Sequence, residues 1–311
     1  MKAHYFLSFL ILFSVTSYAI SDETKWKQAI SAPETMISSD SEGFDTKRIS
    51  LGYLPLYEHG DRNMGLKLET DHFDQANWTA HTNQISFVTK AINPRSALGY
   101  SIKLGLNDLS GQTLVTTDSQ YSFNLSDKTR MELVLNRDRL ETQKSLDNHI
   151  YFTMVGIDVE QQIFNRLSIM GMISDMEFSD SNSRLFFRAK LVADVLPELG
   201  INLQLRYKKY HSTDINVEKN YFNPENYQET MAAIGYRKRI NGWMLAGTLG
   251  LGRQRIDATS STLTKLIEFN ATSPFVGNVF FRTRLGFNQS GGIQGPDYSY
   301  KYLTEELTFS F

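Results

Sequence analysis

The sequence predicts an all-β fold: a transmembrane, antiparallel, up-and-down β-barrel of about 16 strands. Three observations predict it. Apolar and polar residues alternate in runs of about 11 residues, long enough to cross a bilayer as tilted strands. The segments between these runs alternate between short turns and longer loops, the asymmetry that such barrels show between their two rims. The chain also ends on an aromatic residue, Phe311, with Leu303, Leu307, Phe309 and Phe311 on one face of a last alternating run.

Composition narrows the choice. A hydrophobic share of 41% with a mean hydropathy of -0.33 suits a soluble protein, and equally a barrel whose strands each turn one face to a polar lumen. The aromatic share of 12%, mostly Phe and Tyr, favours the barrel, because interface girdles use those residues. A net charge of -2 lacks the basic excess of a nucleic-acid binder. With no cysteine, the chain can hold neither a disulfide nor a thiolate metal site. A β-sandwich would show strands nearer five or six residues long.

Residues 1–19 read as a signal peptide, with Lys2 as the positive start, an apolar core over residues 5–15 and cleavage after Ala19. Residues 20–32 follow as a short periplasmic or lumenal segment, and residues 33–311 as the barrel. Strand faces are legible in Leu98/Tyr100/Ile102/Leu104/Leu106, Tyr151/Thr153/Val155/Ile157/Val159, Leu185/Phe187/Ala189/Leu191 and Ile201/Leu203/Leu205/Tyr207. Later copies are Trp243/Leu245/Leu249/Leu251 and Val279/Phe281/Leu285/Phe287.

If the C-terminus finishes in the periplasm, the turns can be phased backwards from it. His59, Asn93-Pro94-Arg95, Ser126-Asp127-Lys128, Phe164-Asn165, Pro197-Glu198-Leu199, Ile240-Asn241 and Thr272-Ser273-Pro274 then fall at the periplasmic rim. The connections over residues 139–148, 211–226 and 289–296 fall outside. This phasing gives about 15 strands from residue 46 onward, an odd number that requires one more strand before it. Residues 33–39, with a turn over 40–43, supply that strand.

Seven basic and two acidic residues, Arg188, Lys190, Arg206, Lys208, Glu229, Arg237, Glu268, Arg282 and Arg284, are the candidates for the pore lining, because they occupy the polar parity of their strands. Charges facing lipid at mid-depth cost several kcal/mol, whereas a water-filled lumen accepts them. They read either as salt-bridged wall residues or as a conduit that guides a polar or anionic solute. Phe186, Tyr210 and Phe280 on the same parity offer surfaces on which sugars could stack. No catalytic set, cofactor or metal site is expected. His149 near Asp147, and His211 near Ser212 and Asp214, lie in no recognisable nucleophile context, and His72 between Asp71 and Asp74 reads as a solvated acidic loop.

Two kinds of resemblance add to this reading. Leu307, Phe309 and Phe311 resemble the C-terminal signal that the barrel assembly machinery reads in bacterial outer-membrane proteins, which implies the cell outer membrane, with its lipids and lipopolysaccharide, as the setting. Tyr221-Phe222-Asn223-Pro224-Glu225-Asn226-Tyr227 is similar to a Tyr-Tyr/Phe-x-Pro-x-x-Tyr segment in the C-terminal barrels of exopolysaccharide export porins for cellulose and poly-N-acetylglucosamine. Asp40-Ser41-Glu42-Gly43 looks like the Asp-x-Asp/Glu-Gly turn of their first hairpin. The same barrel occurs alone in YaiO-like outer-membrane proteins. The resemblance implies a passive conduit in surface polysaccharide assembly or export. Those exporters carry a long helical-repeat scaffold before the barrel, so a separate periplasmic partner would have to deliver the polysaccharide here. A small-solute porin, a structural or adhesive surface protein and a lipid-modifying enzyme at the outer rim are the alternatives. Pro224 fixes its own φ and carries no N–H, so the motif sets where the next strand begins, with Tyr221, Phe222 and Tyr227 expected at the membrane interface.

Overall fold

The computed structural model describes residues 26–214, 220–274, 277–292 and 295–311. Sixteen antiparallel strands close into one barrel. They are β1 (Lys27–Asp40), β2 (Phe44–His59), β3 (Arg62–Gln75), β4 (Trp78–Ile92), β5 (Gly99–Leu109), β6 (Gln112–Ser126), β7 (Thr129–Arg139) and β8 (Tyr151–Phe164). The second half comprises β9 (Leu167–Phe178), β10 (Ser183–Leu196), β11 (Ile201–Ser212), β12 (Asn226–Ile240), β13 (Trp243–Ile256), β14 (Thr262–Thr272), β15 (Val279–Gly292) and β16 (Gly295–Ser310). Each strand pairs with its sequence neighbours, and β1 closes on β16 with Ile37 opposite Leu303 and Ile30 opposite Phe309. Closure matters because an open edge of unpaired N–H and C=O groups has no solvent in a bilayer. The last residue takes part: Phe311 donates its N–H to the Gln28 carbonyl at 2.9 Å.

Burial is inverted relative to a soluble protein. Leu249, Leu251, Ile49 and Leu68 are about three-fifths exposed on the outer face, while Ser50, Thr82 and Thr116 on the inner face are nearly inaccessible. The period of two explains both, since it sends every second side chain outward. At the end that carries Phe311 the exposed aromatics Trp26, Phe164, Trp243, Phe309 and Phe311 form a girdle.

The turn chemistry matches the phasing. In the first outer turn the Asp40 carboxylate accepts from the backbone N–H groups of Glu42 and Phe44 at 2.8 and 2.9 Å, and Gly43 sits at φ 77°. That positive φ is the reason a glycine ends this turn. The turns after β2, β4, β6, β8, β10, β12 and β14 all leave from the same end as Phe311.

Two boundaries differ from those expected. β1 begins at Lys27, not at residue 33, so residues 27–32 are wall and not a free segment. A register shift between Ser31 and Glu34, around Pro33, breaks the alternation and hides the start of the strand. At the other end, β15 runs to Gly292 and β16 starts at Gly295, so most of the expected outer loop over residues 289–296 is strand. The expected signal peptide, residues 1–19, lies outside the described residues.

One position tests the wall directly. A Cβ on Gly65 would lie 2.1 Å from the Tyr53 carbonyl oxygen and 2.7 Å from the Leu54 Cα, atoms that cannot swing away. Gly65→Val is therefore expected to destabilise the barrel by about 1–3 kcal/mol or more, the range for overpacking. The check is a lower temperature for loss of the compact, heat-modifiable band on denaturing gels; an unchanged temperature would refute the close approach.

Candidate functional site: the lumen and its outer lid

All nine pore-lining candidates lie on the inner face, and the structure divides them into two groups. Arg188, Lys190, Arg206, Lys208 and Glu229 line a cavity of 370 Å³ against β8 to β12, β14 and β15. Arg237, Arg282 and Arg284 line a larger one of 750 Å³, shared with Glu34, Arg48, Lys67, Glu69, Lys90, Lys103 and Glu306. Glu268 approaches Arg206 to 3.8 Å.

The two walls are wired differently. On the wall made by β1 to β5 and β15 to β16, four cations, Arg48, Lys67, Lys103 and Arg282, are paired tightly with carboxylates. Lys67 is bonded to Glu34, Lys103 Nζ reaches both Glu69 oxygens at 3.0 and 3.1 Å, and Arg48 Nε meets Asp71 Oδ1 at 2.5 Å. Arg282 of β15 reaches past β16 and β1 to Asp61, in the turn after β2, at 2.7 Å, and touches Glu306 at 3.4 Å. On the wall made by β10 and β11 the pairs are looser: Arg188 to Asp158 and Arg206 to Glu268 are both 3.8 Å, beyond hydrogen-bond reach.

Sequence reasoning missed the tightly paired wall. The signal was present in the parity of β3, where Lys67, Glu69 and Asp71 alternate with Leu66, Leu68 and Thr70. That parity also separates the suggested acidic cluster. Asp71 points inward to Arg48 and to the Thr82 hydroxyl at 2.9 Å, whereas His72 faces out beside Asp74 at 3.2 Å. Among the described residues there is no group of three or more His, Asp or Glu side chains placed to hold a metal ion.

The aromatic positions are corrected too. Tyr210 is 6% exposed, stacked on Tyr227 with ring centroids 4.7 Å apart, and carries the Arg184 guanidinium over its ring. Phe280 is 3% exposed, with its ring against Gly60. Neither offers an open face to a sugar; Phe186 remains half-buried. Nor do Tyr221 and Tyr227 lie at the membrane interface. Tyr227 shares the inward parity of Glu229 and Met231, and its hydroxyl bonds to Glu229 at 2.8 Å and to Gln254 at 2.9 Å. Tyr221 stacks on Phe178 at 4.8 Å, with its hydroxyl on Asp180 and Asn182. Burial pushes the Tyr221 hydroxyl above its ordinary range, so it stays a neutral donor to Asp180. A buried tyrosine hydroxyl needs such partners, and the inner face provides them where lipid would not.

The outer mouth is crossed by the β7–β8 connection. It contains a single short helix, α1 (Gln143–Asp147), capped by Thr142, whose hydroxyl accepts from Ser145 N–H at 3.2 Å. Leu146 is 2% exposed and packs with Phe44, Phe73 and Leu109, beside Trp78 and Ala80. Arg48 donates to Glu141 at 2.8 Å, and Trp78 Nε1 to Asp147 at 2.8 Å. On its other side the segment is tied to the β11–β12 loop, where the Asn220 carbonyl accepts from the hydroxyls of Thr142 at 2.6 Å and Ser145 at 3.0 Å. The segment thus packs against β2, β3 and β5 on one side and the β11–β12 loop on the other.

A closed sixteen-strand antiparallel barrel with an apolar outer belt and a charged lumen is an outer-membrane β-barrel, and the outer membrane is where this chain resides. No protein-family model matches the sequence, and no curated protein does. Among solved structures, the chain is similar to a bacterial polysaccharide outer membrane secretin, with a TM-score of 0.63 at 11% identity over 93% of this chain and all of that one. It also aligns with CdiB from Acinetobacter baumannii (TM-score 0.47, 12% identity, 91% of this chain and 60% of that one). OccAB2 from the same organism aligns with a TM-score of 0.43 at 9% identity, over 92% of this chain and 98% of that one. At these identities the likeness is one of fold.

Proposed function

We propose that the chain is a passive conduit for a surface polysaccharide across the outer membrane. The observation that carries this reading is the lumen itself: a polar, charge-lined interior with a cavity of 750 Å³, over whose mouth the β7–β8 connection packs against the β11–β12 loop. A chain moving through such a lumen meets charged and hydroxyl side chains and no covalent chemistry. Likeness in fold to a polysaccharide secretin supports the reading, as does the Asp40 to Gly43 turn. The test is deletion of the gene in its host, with secreted and periplasmic polymer measured by sugar analysis. Polymer should accumulate in the periplasm and return to the surface when the gene is restored; undiminished secretion would overturn the proposal. The smaller cavity of 370 Å³ suits a single sugar-sized solute, so a small-solute porin is the second reading. Swelling of proteoliposomes in monosaccharides, with polymer secretion intact in the deletion strain, would favour it.

A further inference from the structure

Four cations stand as a block on two adjacent strands. Arg188 on β10 lies directly opposite Lys208 on β11, and Lys190 directly opposite Arg206. Like charges at directly opposed positions destabilise a sheet, so the arrangement needs compensation. Next along the sheet, β9 places Met172 and Met170 opposite Arg188 and Lys190. On the other flank β12 places Met231 opposite Arg206 and Glu229 opposite Lys208. Of the four positions opposite the block on β9 and β12, Glu229 alone is a carboxylate, and it already accepts the Tyr227 hydroxyl at 2.8 Å. Asp158 and Glu268 come no nearer than 3.8 Å to Arg188 and Arg206. On the opposite wall of the same lumen Arg48, Lys103 and Arg282 each meet a carboxylate at 2.5 to 3.0 Å, so close pairing is available to this fold and is not used here. The Arg188 side chain is 57% exposed into the cavity. Met170, Met172 and Met231 line the same cavity with apolar, deformable surface.

We propose that this block is a binding subsite for an acidic saccharide, one that carries carboxylates on successive sugar residues. This rests on the polysaccharide reading and names the class of polymer. The guanidinium groups of Arg188 and Arg206 offer forked donors that match a carboxylate, and Lys190 and Lys208 add point charges beside them. Two rows of cations, about 7 Å apart along the strand direction, present charge to more than one carboxylate of a chain. The methionine surface faces the apolar side of the sugar ring.

The test is calorimetric titration of the purified full-length barrel in detergent with a galacturonate hexamer, and with a neutral maltohexaose of equal length. The galacturonate should bind, more weakly as salt rises, and the neutral sugar should not. Arg188→Gln alone, at an exposed side chain that leaves the wall intact, should weaken binding by about tenfold, as expected for loss of one charged hydrogen-bonding group. The pair Arg188→Gln with Lys208→Gln should abolish it. Equal binding of the neutral sugar, or unchanged affinity in both variants, would overturn the proposal. Flux of the two oligosaccharides through proteoliposomes separates this from the parent reading. Binding without flux of either sugar contradicts the conduit and leaves the subsite standing, whereas flux without discrimination contradicts the subsite and leaves the conduit.

Discussion

Replacing residues 141–149 with a short glycine-rich turn is expected to raise single-channel conductance several-fold in planar bilayers. The segment lies between β2, β3 and β5 and the β11–β12 loop, so its removal widens the path at the outer mouth. A helix of five residues has no stability of its own; it is held by Leu146 in its apolar pocket, by Arg48 on Glu141, and by the Asn220 carbonyl. The less invasive variant is Leu146→Asp, which puts a charge among Phe44, Phe73 and Leu109, where it finds no compensating partner. That substitution should release the segment and reproduce most of the conductance gain without shortening the chain. Conductance equal to wild type in both variants would show that the segment does not limit the path.

Arg48→Met is expected to be among the most damaging single substitutions in the lumen. Arg48 holds Asp71 at 2.5 Å and Glu141 at 2.8 Å, and stands 3.7 Å from Glu69. Removing it leaves Asp71 and Glu141 without their cation, while Glu69 keeps Lys103, and Asp71 is 4% exposed. Breaking a buried pair costs about 3–5 kcal/mol; with the Arg48 side chain partly open to water, the expected loss is about 2–3 kcal/mol. Denaturant unfolding in liposomes measures it. Because Glu141 belongs to the lid, the same variant should also show more frequent open events. Arg48→Lys keeps the charge but not the fork, and should recover part of the stability. A variant with wild-type stability would mean that water, and not Arg48, compensates these carboxylates.

The sequence carried the wall far better than the interior. Alternation in a run such as Ile201/Leu203/Leu205 against Asn202/Gln204/Arg206 states which side chains face out, because period two leaves no other arrangement. Parity also recovered the first hairpin, through the need for an even number of strands. Pro33 defeated the boundary, since a bulge shifts the phase without any change in composition. Pairing inside the lumen was not legible. That Lys208 stands opposite Arg188 on one flank and Glu229 on the other depends on register between strands, which is set by turn lengths and bulges and not by either strand's own residues. The folding of residues 140–150 across the mouth was hidden for a related reason: Leu146 gains its burial from β2, β3 and β5, which are distant in sequence. The inward turn of Tyr227 could have been read from its parity with Glu229.

Arg282 gives the barrel a way to verify its own closure. Its partners Glu306 and Asp61 lie on the near and far sides of the joint between β16 and β1. If those two strands met two residues out of place, every side chain would keep its inner or outer face and the apolar belt would look correct. Asp61 would nevertheless be carried about 7 Å along the strand direction away from Arg282. The correct joint is then the one in which a cation from the end of the chain and a carboxylate from its beginning neutralise each other, so the earliest and latest parts of the sequence certify one another when the ring is completed.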